Sequence, residues 1–218
     1  MSSQDRAGVS FPQRERRAMA DLLDAVGPDA PTLCEGWTTR DLVAHLVLRE
    51  GHLAAAGIAI GALSRWTART QHALVQEPFT DVVRRFREGP PTLSPLRLPG
   101  AQRTVNTLEH FVHHEDVRRA RDQWSARDLA AGDHQLLWHQ LTSRARLFLK
   151  GAPVPVSLVA PDFGVIATGK ADHSSTVRIT GAPAELVMYV HGRQSHADVR
   201  VSGQDASLAA WEHHVLKV

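Results

Sequence analysis

The chain has 218 residues, with 25 Lys and Arg against 23 Asp and Glu, 13 His and a single Cys. That length buries a real core in one domain or two modest ones. The sequence pI is about 9.1, but a formal charge of +2 is too small to imply a nucleic-acid partner. One cysteine excludes an internal disulfide and any all-thiolate metal site, so a metal site here has to be built from imidazole and carboxylate. No apolar run reaches the roughly 20 residues that span a bilayer, and the N-terminal MSSQDRAGVSFPQRERR lacks the apolar core of a secretory signal. A soluble, cytoplasmic protein is expected, with the Arg clusters as solvated faces.

Phe11, Met19, Leu22, Leu23 and Val26 recur at helical intervals among charges, and Gly27 with Pro28 supplies the stop, so a first amphipathic helix is expected over Phe11 to Val26. In PTLCEGWTTRDLVAHLVLREGHLAA a turn at Glu35 to Trp37 precedes Thr38, a capping residue with Asp41 three positions on. A second helix is predicted from about Thr39, with Leu42, Leu46 and Leu53 on its apolar side. Ile58 to Leu74 and Phe79 to Arg87 read as further helices, the latter ended by GPP, and Gly89 to Gly100 as a Pro-rich connection. Ser125 to Lys150 is predicted as a long helix with Leu129, Leu136, Leu137, Leu141 and Leu147 inward. Near Gly151 the composition changes: VPVSLVAP, GVIATG, STVRITG and ADVRVSG are β-branched runs between Gly, Pro and Asp. Two helical pieces, Ala182 to Val190 and Ala206 to Val215, interrupt the strands. The expectation is α+β: a helix bundle over 1–150, then a small α+β domain over 151–218.

The stretch from Asn106 to Ala120, NTLEHFVHHEDVRRA, concentrates the chemistry. Glu109 and His113 stand four apart, a spacing that stacks two side chains on one helix face where they can close on one ion. His110 and His114 share the spacing. On a wheel of about 100° per residue, Val105, Leu108, Phe111 and Val112 form an apolar arc with Glu109 and His113 at its edge, while His110 and His114 fall toward water. A ligand pair bordering a core is rigid and shielded, which favours Glu109 with His113. Asp116, near the same edge, is a partner for a ligand or a proton carrier. A third ligand is needed, and His45 in LVAHLVLRE is the candidate, flanking the second helix's apolar arc. Two imidazoles and a carboxylate suit Zn²⁺ and also admit Ni²⁺, Fe²⁺ or Mn²⁺. Trp37 is expected to fix the turn, and Cys34, one turn upstream of the helix, fits a small buried thiol. Arg118 with Arg119, and Arg193 beside His191, are either solvated or meet carboxylates of an acidic cofactor or substrate.

The runs TLCEGWTTRDLVAHL and EHFVHHEDVRRA resemble the mycothiol-dependent maleylpyruvate isomerase N-terminal family, within the wider DinB-like four-helix metal proteins. The likeness covers most of Phe11 to Lys150, and VHHEDVRRA marks an uncharacterised metal-binding branch. It implies a divalent ion on the residues matching His45, Glu109 and His113, and mycothiol as cofactor. ITGAPAELVMYVHGR resembles the small α/β domain that follows in the same family, related in shape to sterol-carrier domains. The expectation is a metal-dependent thiol transferase or isomerase acting on a small electrophilic organic substrate, with Asp116 in proton transfer and Arg118 and Arg193 toward the cofactor, as monomer or homodimer. A non-catalytic metal-binding or sensor protein and a metal-dependent hydrolase are the alternatives.

Overall fold

Ser10 starts the first helix by a local exchange, its N–H donating to the Gln13 side chain at 3.1 Å, and Pro12 sits in the first turn, where its missing N–H costs nothing. The helix α1 runs Phe11–Val26 and ends at Gly27, whose φ of 79° a side chain would resist. The structure is a computed structural model that describes residues 9–51, 64–90, 101–169, 175–212, 214 and 216. Among these are eight α-helices and a four-stranded mixed sheet, an α+β chain. No helix among the described residues is long and apolar enough to cross a membrane.

The chain divides into two compact units, 1–124 and 125–218. In the first, α1 is followed by α2 (Thr39–Gly51), α3 (Ser64–Gln76), α4 (Phe79–Glu88) and α5 (Ala101–Arg118). Thr38 caps α2 as expected: its N–H and hydroxyl both donate to Asp41 Oδ2, at 3.0 and 2.8 Å. The expected helix start at Ile58 and most of the Pro-rich connection lie outside the described residues. Met19 and Leu23 of α1, Leu42 and Leu46 of α2, and Val82 and Phe86 of α4 form one buried cluster. Along α4, Gly89 ends the helix at φ 84°, and a Cβ there would meet the Arg16 guanidinium. That space is needed because Arg16 reaches past Gly89 to pair with Glu50 in the interior.

In the second unit α6 spans Ala131–Phe148, with Ala130 in the extended conformation before it, so Ser125 to Ala130 is not helical as expected. Strands β1 (Val156–Ala160), β2 (Gly164–Thr168), β3 (Val177–Gly181) and β4 (Val199–Ser202) lie in the order β2-β1-β3-β4. β1 pairs antiparallel with β2 and parallel with β3, and β3 pairs antiparallel with β4. Helix α7 (Pro183–Val190), apolar but for Glu185, whose carboxylate accepts the Asp198 N–H at 2.8 Å, is buried along its whole length and packs on α6 and the sheet. The last helix, α8 (Asp205–Glu212), brings Trp211 onto Tyr189, its indole N–H donating to the phenol oxygen at 2.8 Å.

The unit boundary therefore falls before α6, whereas the composition change near Gly151 suggested a break after it. The reason is the buried stripe of α6. Leu137, Trp138, Leu141, Ala145 and Phe148 pack within the second unit, with Trp138 beside Gly164 and Phe148 at 4.5 Å from the His191 ring. Leu147, expected inward, is 68% exposed, because the buried stripe of α6 runs through Leu137, Leu141, Ala145 and Phe148 and leaves it outside. Leu137→Ala is expected to cost about 2–5 kcal/mol through the cavity it opens. Leu147→Ala on the same helix should stay within about 0.5 kcal/mol. Urea unfolding followed by circular dichroism separates them, and equal effects would contradict this facing of α6.

Candidate metal centre

Three segments of the first unit supply the chemistry: the last three turns of α5, the middle of α2, and the loop of residues 31–38 that leads into α2. The loop is built locally. Gly36 takes φ 75°, the Trp37 N–H closes onto the Cys34 carbonyl at 3.0 Å, and the Thr32 hydroxyl donates to the Trp37 carbonyl at 2.9 Å. It is tied to α5 by the Leu33 N–H, which donates to the Asp116 carbonyl at 3.1 Å. Trp37 then lies against His45 of α2, ring centroids 5.1 Å apart, and limits where that imidazole can swing.

His45, Glu109 and His113 are brought together, with ligand atoms all within 4.8 Å of one another. Glu109 Oε1 stands 3.6 Å from His45 Nε2 and 3.3 Å from His113 Nε2. Bond lengths of about 2.0–2.2 Å in a tetrahedral sphere would place such atoms about 3.3–3.5 Å apart, so the three fit a single ion with little movement. Behind the ring, His113 Nδ1 donates to Asp116 Oδ2 at 2.9 Å. Asp116 is fully buried, so it holds His113 in the tautomer that offers Nε2 to a cation. In this place Asp116 orients the His113 ring, and the same carboxylate oxygen also accepts from the Cys34 thiol at 3.2 Å.

Arg49, one turn after His45, was not singled out from the sequence; its Nε lies 3.2 Å from Glu109 Oε1. The signal was available in its four-residue spacing from His45 on the same face. Burial alone would push the Glu109 carboxyl up. Hydrogen bonds from His113 and His45 and the charges of His113 and Arg49 outweigh it and hold Glu109 well below the usual carboxylate range. Burial likewise works against a charged His113, yet Asp116, Cys34 and Glu109 together raise it well above an ordinary imidazole.

One expectation is corrected: His110 and His114 do not face water; both are buried against α1. The His110 ring nitrogens meet the Pro12 carbonyl at 2.9 Å and Glu50 Oε1 at 2.7 Å, and His114 Nδ1 meets Glu15 Oε2 at 2.9 Å. The helical wheel counted only apolar residues, while the α1 side of α5 is filled by polar groups that pair with one another. Arg118 donates to both oxygens of Glu115, at 3.0 and 2.9 Å, and Arg193 belongs to the second unit, where it donates to the His191 carbonyl at 2.5 Å. Comparison of the chain with family models, with curated proteins and with solved structures gives no match.

Without a cation, the pairing of His113 stabilises the folded unit fully below the unfolded imidazole value of about 6.5 and is lost as pH rises through the raised folded value. Glu109 contributes above about 4.3, and its contribution is lost as pH falls through its lowered value. A cation must displace the His113 proton, so its affinity is expected to rise with pH, with about one proton released per ion near neutrality. Calorimetry of Zn²⁺ binding in buffers of different ionisation enthalpy counts that proton; a count of zero would remove His113 as a ligand. Asp116→Asn should weaken Zn²⁺ binding by about 10–100-fold while circular dichroism is unchanged.

Proposed function

We propose that this chain is a metal-dependent enzyme of thiol-transferase or isomerase type, working on a small electrophilic organic substrate with a low-molecular-weight thiol. The observation that carries it is the meeting of His45, Glu109 and His113 from two helices, their donor atoms within 4.8 Å of one another. The sequence resemblance supplies the finer parts of the reading: a DinB-like bundle in the first unit, a sterol-carrier-like domain in the second, and mycothiol as the thiol.

A divalent ion, zinc first on this donor set, would act as a Lewis acid and favour a bound thiol as thiolate, the nucleophilic form. His45 from α2 and His113 from α5 would hold it together with Glu109. Asp116 fixes His113 so that the site keeps its geometry as ligands exchange. Arg49 sets the charge. Two carboxylates, Glu109 and Asp116, against the one guanidinium leave a doubly charged cation incompletely compensated, which favours an anionic guest such as a thiolate or a carboxylate. Three protein donors also leave a position for that guest, the mark of catalytic rather than structural sites.

The test uses Co²⁺-loaded full-length protein. Mycothiol is expected to shift the visible ligand-field bands saturably, and His113→Ala to lose the stoichiometric metal. Arg49→Gln should keep the metal and weaken thiol binding about tenfold, the worth of one charge-assisted contact. No spectral change at saturating thiol would sink the thiol reading, and metal-dependent ester turnover without thiol would replace it with a hydrolytic one.

A further inference from the structure

His113 has a second edge that the site above does not use as a donor. Its Nδ1 faces Asp116 Oδ2 at 2.9 Å and Cys34 Sγ at 3.8 Å, and the Cys34 thiol donates to the same Asp116 oxygen at 3.2 Å. These three atoms, like the His45 group, lie within 4.8 Å of one another. A tetrahedral zinc with a thiolate at about 2.3 Å and N or O at about 2.0–2.2 Å separates such donors by about 3.3–3.6 Å, so the triangle of sulfur, nitrogen and oxygen needs shifts of only a few tenths of an ångström to close on an ion.

The donors are also held in place. Asp116 is fully buried on α5, and the loop carrying Cys34 is anchored at Leu33, at the Thr32 hydroxyl, which accepts the Cys34 N–H at 3.2 Å, and at Trp37. Cys34 is only partly buried, so a cation has a route to it.

We propose that Cys34 Sγ, His113 Nδ1 and Asp116 Oδ2 form a second cation site, selective for thiophilic divalent ions such as Cd²⁺ or Zn²⁺, on the opposite edge of the His113 ring from Glu109. The soft thiolate sets the selectivity, since the other group offers only imidazole and carboxylate. A neutral imidazole has one free lone pair, its other nitrogen carrying the proton. Occupation of one edge therefore moves the proton to the other, and the two sites exclude each other. The inference goes beyond the thiol-dependent reading and does not rest on it.

Cadmium titration, followed by the thiolate-to-metal charge-transfer absorption in the ultraviolet, tests it. Wild type and His45→Ala are both expected to develop the band and saturate at one Cd²⁺ per chain, while Cys34→Ser shows none and still binds Ni²⁺. Asp116→Asn and His113→Ala, checked for fold by circular dichroism, should each weaken cadmium binding at least tenfold. No band in wild type, or unchanged affinity in both of those variants, would overturn the site and leave the Cys34 thiol as a hydrogen-bond partner of Asp116. In wild type preloaded with Ni²⁺, cadmium should release nickel one for one, and retention of both ions would overturn the sharing of His113. His45→Ala separates the two readings: loss of Ni²⁺ with a persisting cadmium band speaks to each site independently.

Discussion

An imidazole can be aimed only if one of its nitrogens is held, and in this chain the hold is a carboxylate with no access to water. Asp116 sits fully buried one turn along α5 from His113 and takes its Nδ1 at 2.9 Å. Everything proposed for the site follows from that contact: which nitrogen faces Glu109, why the imidazole is held well above its ordinary pKa, and why Cys34 lies within reach of the same ring. A solvent-exposed partner in the place of Asp116 would leave the ring free to turn, and three donors that can turn do not form a site.

The other side of α5 obeys a harsher rule, because its polar groups face α1 and must pair with one another. Glu50 gathers Arg16, His110 and Asn106 around one oxygen, and Glu15 meets His114. Glu115 takes Arg118 and Arg119, and Arg119 lies 4.7 Å over the Trp124 ring. Such buried pairs add little to stability when intact and cost about 3–5 kcal/mol when one partner is removed. Their effect is on register: α1, α2 and α5 can slide past one another only by breaking several charge pairs together. The same register fixes how far His45 stands from Glu109.

Local signals were legible where a residue's effect is local. The bounds of α1, the cap at Thr38, the four strands and the helix opened by Pro183 could be read because a cap, a turn or a β-branched run acts within a few residues. Helical spacing names the face that Glu109 and His113 share, because that pairing is set within one helix, whereas the approach of His45 depends on how α2 packs. What could not be read depended on partners elsewhere in the chain. His110 and His114 are polar by type, yet buried, because Glu50 and Glu15 arrive from other helices to satisfy them. Leu147 is apolar, yet exposed, because Leu137, Leu141, Ala145 and Phe148 fill the α6 seam. Composition moreover placed a boundary near Gly151, where strands begin, while packing places it before α6.

Gly89 ties these observations together from a distance. It ends α4 with a left-handed backbone and leaves the Arg16 guanidinium room to pass, and that guanidinium is what Glu50 shares with His110, one turn back from His114 on the helix that carries His113. The hydrogen atom that serves as its side chain thus works as a gauge pin: it sets the clearance through which the interior charge lattice is threaded. Variation at a residue without a side chain would therefore be transmitted to the face of α5 that carries Glu109 and His113 as a change in helix phase.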